Sequence, residues 1–184
     1  MYPVSQAFLD AIGSNSREFY WTGVLTAKDG KEYPFTNADI VKGSCSVTNQ
    51  CCNNNEIEIG SMYAAELDIA LYLDIDRYTL EDGFITLSFF LKLADDTYEE
   101  VPMGIFDISE ANRGIKSVSI KAYDHMLRFE EKFDETLTNG YAYELLSYAC
   151  EVCDVPLAHT QEEMATWLNA TEVLGIYPDN DIET

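Results

Sequence analysis

Two cysteines, Cys150 and Cys153, stand at the C-x2-C interval used by zinc knuckles and redox pairs. A zinc site would need a second knuckle, and the adjacent Cys51 and Cys52 form a poor one. Cys150 and Cys153 also share a helical apolar face with Leu145, Leu146 and Ala149, so buried free thiols are the expected reading. The chain has two histidines. His125 follows Asp124, a pairing that suggests a general base, but no Ser or Cys nucleophile stands at a matching interval. His125 is therefore expected on the surface of a short helix, and His159 in a loop. Asp74-Ile-Asp76 and Asp179-Asn-Asp-Ile-Glu183 offer oxygen ligands for Ca2+, without the glycine and twelve-residue frame of an EF-hand. H-E-x-x-H, G-x-S-x-G, P-loop and Rossmann signatures are all missing. No catalytic, cofactor-binding or metal-ligating residue is assigned, no cofactor is expected, and the chain is not expected to be an enzyme.

The elements that would hold such residues read mostly as strands. From Arg17 to Ala27, Phe19, Trp21, Gly23 and Leu25 alternate with Tyr20, Thr22, Val24 and Thr26, the period of a half-buried strand. Asp29-Gly30 is a strong hairpin signal, and Lys31–Phe35 is the return strand, with Pro34 marking an edge. Further strands are predicted at Ile40–Thr48, kinked at Gly43, and at Glu56–Ile59. Met62–Glu66 reads as a single helical turn, and Leu67, Ile69, Leu71 and Leu73 mark a strand over Glu66–Asp74. Phe84–Leu93 is apolar on both faces and so reads as central. Tyr98–Phe106 follows, then Ser117–Tyr123, with the turn between them placed at Glu110-Ala-Asn-Arg-Gly114. Asp124 is an expected N-cap for a short helix over His125–Glu131, with Met126, Leu127 and Phe129 turned inward.

Eight or nine short strands between Arg17 and Tyr123 predict a mainly β (α+β) fold, an antiparallel barrel or sandwich of about eight strands, at residues 1–133. At its start, Val4–Ile12 reads as an amphipathic helix or arm. Residues 134–184 read as a helical subdomain. Tyr141–Cys153 is capped by Thr138 or Asn139, and Thr160–Leu168 carries a Thr160/Glu163 capping box with Met164, Trp167 and Leu168 inward. A short strand follows at Glu172–Tyr177. Such a helical pair would leave apolar surface exposed.

The net charge of −22 repels nucleic-acid phosphates and anionic membranes. Neither stable nucleic-acid binding nor membrane insertion is expected, since no window approaches 18 apolar residues. Met1-Tyr-Pro-Val-Ser lacks the basic and apolar regions of a signal peptide, so cytoplasmic synthesis and reduced cysteines are expected.

Val101-Pro102-x-Gly104-x-Phe106, followed by Glu110-Ala111 and then Ala122-Tyr123-Asp124-x-Met126, resembles the N-terminal region of bacteriophage and prophage tail hub proteins. It is similar in particular to the hub or tail-associated proteins of siphophages and prophages of Gram-positive bacteria. Ile57–Leu67, the helix over Tyr141–Val155 and Val173–Tyr177 are similar to the same family. The resemblance implies a virion structural protein at the tail tip that continues the tail tube. It also implies a trimer, contacts to the distal tail protein, tail tube and tape-measure protein, and acidic side chains facing a lumen that DNA must pass. Hubs carry a further helix and a second barrel beyond the point where this chain stops, so a fragment or a short hub is expected. Two other functions fit the composition: a carbohydrate-binding or adhesion β-sandwich of a tail tip, from the 12 Tyr and two Trp, and, less well, a peptidoglycan hydrolase.

Overall fold

The computed structural model describes residues 2–49, 63–75, 77–130, 139–168 and 170–175. The predicted strand at Glu56–Ile59, Cys51, Cys52, Asp76 and Asp179–Glu183 lie outside them. The chain forms two compact units, Met1–His125 and Met126–Thr184.

The first unit is mainly antiparallel β. Its seven-stranded sheet has the order β2-β1-β5-β6-β7-β4-β3. These strands are β1 (Phe19–Thr26), β2 (Glu32–Thr36), β3 (Ser46–Thr48), β4 (Glu66–Leu71), β5 (Phe84–Lys92), β6 (Tyr98–Arg113) and β7 (Val118–Asp124). Laid flat, β2 and β4 would stand roughly 24 Å apart at about 4.8 Å per strand. The sheet instead rolls up, because the chain leaving β2 bonds to β4. Ile40 bridges Leu71, Val41 N–H donates to Ala70 O at 2.8 Å, and Tyr72 N–H donates to Asp39 O at 2.7 Å.

Rolling puts the inward set of each strand into one core. Leu25, Phe35, Leu67, Leu71, Ile85, Leu87, Phe106 and Val118 are all at most 2% exposed. Gly23 lies on this inner face, where an added Cβ would stand 2.5 Å from both the Phe35 ring and Thr86 O. A short helix closes each end. At one, α1 (Gln6–Ile12) sets Phe8 edge-on against Phe89, which packs in turn on Phe19 and Trp21. At the other, a 3-10 turn over Arg77–Leu80 buries Leu80 completely.

The predicted alternation of β1 holds, and Pro34 sits on the edge strand β2, where its missing N–H costs no ladder bond. Gly30, at φ +80°, makes the predicted turn. Three expectations are corrected. Residues 40–48 do not form one strand: Ile40 makes an isolated bridge, Gly43 takes φ +78°, and only Ser46–Thr48 pairs. Glu110–Arg113 is not a turn but the last part of β6, paired to β7; the reversal falls at 114–117, where Gly114 N–H donates to Ser117 O. The tight turn that reverses the chain needs only these four residues, so the polar run before it stays in the ladder. Met126 is 39% exposed rather than inward, on a 3-10 segment over His125–Glu130.

In the second unit, α2 (Ala142–Val152) buries Leu145 and Cys150, and β8 (Asn139–Tyr141) pairs with β9 (Val173–Gly175). The N-cap is Tyr141, not Thr138 or Asn139. Asn139 is taken by β8, and the Tyr141 N–H donates to the Glu144 carboxylate at 2.9 Å. Helix α3 (Gln161–Met164) has the predicted capping box, with Thr160 N–H donating to Glu163 at 2.9 Å. It ends four residues earlier than predicted. Met164 is 1% exposed, but Trp167 is 47% and Leu168 93% exposed, so neither lines an inner face.

Candidate interaction surface

The residues with chemical potential are held apart. His125 Nε2 stands 3.5 Å from Asp107 Oδ1 at the end of β7. His159 lies 3.8 Å from Glu163 and edge-on to Trp167. Asp74 accepts from Arg113 at 2.7 Å. Cys150 is buried, and burial, with Cys153 beside it, pushes its thiol up; burial pushes Cys45 up to about 11. Thiols raised in this way stay protonated and are poor nucleophiles. Among the described residues no three His, Cys, Asp or Glu side chains gather as a metal-ligand cluster. No helix among them is long and apolar enough to cross a membrane.

The residues behind the tail-hub resemblance occupy positions that the fold demands. β6 is sixteen residues long and changes partners: residues 98–107 pair with β5, and residues 106–113 pair with β7. A bulge between Leu87 and Ser88 re-aims the strand midway, and Gly104 sits there at φ +125°, a conformation that side chains with a Cβ avoid. Phe106, at the exchange point, is 1% exposed, and Ala122 on β7 is fully buried. Among the described residues, 98–105 have β5 as their only ladder neighbour. Pro102 leaves that open edge one donor short.

The outer face divides in two. Over β4 and β7 it is charged: Glu66 and Asp68 stand opposite Tyr123 and Lys121, and Lys121 Nζ is 3.0 Å from Glu66. The hydrogen bond from Lys121 holds the Glu66 carboxyl below its ordinary value. Partial burial and the Glu66 carboxylate beside it push Asp68 up. Over β1 and β5 the outward positions run Tyr20, Thr22, Val24, Thr26 and, opposite them, Phe90, Ser88, Thr86, Phe84. None is charged. Tyr20 and Phe90 stack at 4.8 Å with 4° between their planes, and Tyr98 meets Tyr20 edge-on at 5.0 Å. Charge borders this face. At one end Glu18 accepts from the Tyr98 hydroxyl at 2.7 Å and from Lys92 at 3.2 Å. Those two bonds hold Glu18 below its ordinary value. At the other end Glu32 stands opposite Thr26, and on β6 Glu100 and Asp107 stand opposite Phe90 and Phe84.

Reading motifs alone misses this uncharged face. Its signal is present all the same: no residue from Phe19 to Ala27, or from Gly83 to Leu91, carries a charge, in a chain where 24% of residues do.

No protein-family model and no curated protein matches the chain. Among solved structures it is similar to a chain of the "Virion of native gene transfer agent (GTA) particle", at 12% identity and a TM-score of 0.48. The match covers 75% of this chain and 51% of that one, so this chain spans about half the length of its neighbour. A likeness this distant carries no argument about function.

Proposed function

We propose that this chain is a structural protein of a phage-like particle, and specifically the barrel module of a tail hub that continues the tail tube. The observation that carries the reading is where the hub-like residues fall. Gly104 and Phe106 lie on the long bulged strand, and Ala122 on its partner, positions that set the shape of a barrel and perform no reaction. In this reading the chain makes and breaks no bonds. It works by shape and by an acidic surface to which DNA does not adhere. Several copies assemble together and meet the distal tail, tube and tape-measure proteins, after synthesis in the cytoplasm. The unit boundary taken from the sequence, near residue 133, belongs to the same reading. The virion chain described above is compatible with it and adds no weight.

The test is antibody labelling of particles released by cells that express the chain. Gold at one end of a tail is the expected outcome. Label on no particle, or cell-wall hydrolysis by the purified chain in a zymogram, overturns the reading. Trp167, half exposed in the second unit, supports the carbohydrate-binding alternative. Glycan binding that disappears in Trp167→Ala would favour it.

A further inference from the structure

We infer that the uncharged outer face of β1 and β5 is the docking site for a second copy of this chain. The inference deepens the particle reading, on which it rests for the idea that copies stand side by side; it adds the contact face and its occupant. The chain carries 33 acidic and 11 basic residues. Two copies that met over an ordinary piece of this surface would bring carboxylates together, and like charges in a dewatered contact cost several kcal/mol. The β1–β5 face avoids that cost. Its two charge-free windows are neighbours in the sheet, with Thr22 opposite Ser88 and Val24 opposite Thr86. On β2, Thr36 and Pro34 stand opposite Thr22 and Val24, and the uncharged area ends there at Glu32, opposite Thr26.

Charge selects the occupant. A basic partner gains nothing from a surface without carboxylates and would favour the acidic remainder. The partner that gains from missing charge is one as acidic as the chain itself. The texture also suits a protein contact: Phe84 is 37% exposed, Tyr20 and Phe90 offer a flat ring stack, and the Thr hydroxyls can exchange hydrogen bonds. Two strands over seven residues give a face of roughly 10 by 23 Å, about 230 Å2. That is under a third of the ~800 Å2 per partner of a standard stable interface. A single contact is therefore weak, and salt strengthens it by screening the repulsion between the remaining surfaces.

Sedimentation of the full chain from micromolar to millimolar concentration, at low and high sodium chloride, tests this. The expected result is reversible association that rises with concentration and with salt. Thr86→Glu should weaken it by at least about tenfold. Ser119→Glu, equally exposed on the charged face, should leave it unchanged. Thr22→Asp serves as the second variant if Thr86→Glu lowers the melting temperature. A wild type that stays monomeric throughout, or association that survives both Thr86→Glu and Thr22→Asp, overturns the inference. If gold labels tails while crosslinks from this face reach only another virion protein, the inference fails and the particle reading stands. If no particle is labelled yet Thr86→Glu abolishes association, the particle reading fails and the contact face stands.

Discussion

The two flanks of the rolled sheet share one core and present opposite surfaces. On the β4–β7 flank, Lys121 serves Glu66 and lies 5.9 Å from the Tyr123 ring, while Asp68 beside it is left with a raised pKa. On the β1–β5 flank the same outward register carries Thr, Ser, Val and aromatic rings. Core packing cannot explain the difference, because the inward residues of both flanks are equally buried: Leu25 and Ile85 on one, Leu67 and Val118 on the other, each at 0% exposure. Outward positions of a sheet are free to carry charge. In a chain this acidic, the flank without charge is the surface we propose as the contact between copies.

The comparison is broken most severely at the residue both flanks share. Phe106 pairs with Ile85 on β5 and with Asp124 on β7. Phe106→Ala should cost about 3–5 kcal/mol. Denaturant unfolding followed by hydrogen exchange at the β5 amides of one flank and at the β4 amides of the other should shift together. Probes that separate would mean that the flanks are distinct folding units. Next is Gly23→Ala, which drives a methyl group into the Phe35 ring and Thr86 O and should cost about 1–3 kcal/mol. Because the methyl points inward, copy-to-copy association should survive wherever the fold does, as sedimentation below the melting temperature would show.

Ser5→Ala follows at about 1 kcal/mol. Ser5 Oγ accepts from Phe8 N–H at 3.0 Å and bonds Glu99, so its loss loosens α1 from one end of the barrel. Faster hydrogen exchange at the Phe8 and Leu9 amides, with β5 unchanged, is the expected readout. The smallest effect is on the charged flank. Because the fold raises the pKa of Asp68, its ionised form costs stability at neutral pH, and the cost vanishes as pH falls below the ordinary carboxylate range. Asp68→Asn should therefore melt slightly above wild type at about pH 7 and level with it at about pH 3. A variant that melts lower at neutral pH would show Asp68 to be a useful partner of Lys121.

Local chemistry was legible wherever it was strong. Asp29-Gly30 reverses the chain as expected, with Gly30 at positive φ. The capping box at Thr160 formed because both of its partners lie within one turn. What failed depended on neighbours distant in sequence. Glu110-Ala-Asn-Arg113 carries turn-forming residues, yet β7 is there to pair with it, and the ladder wins. Trp167 and Leu168 have helical spacing to Met164, but α3 ends at Met164 and leaves both exposed.

By itself, the sequence determined the strand class, the acidic balance and the two charge-free windows, since alternation and composition are properties of the chain alone. Only the tertiary structure decided that those windows lie side by side on one outer face and that the long strand changes partners at Phe106. Register and sheet order come from pairing residues up to dozens apart and from closing one core, and no local window contains that information.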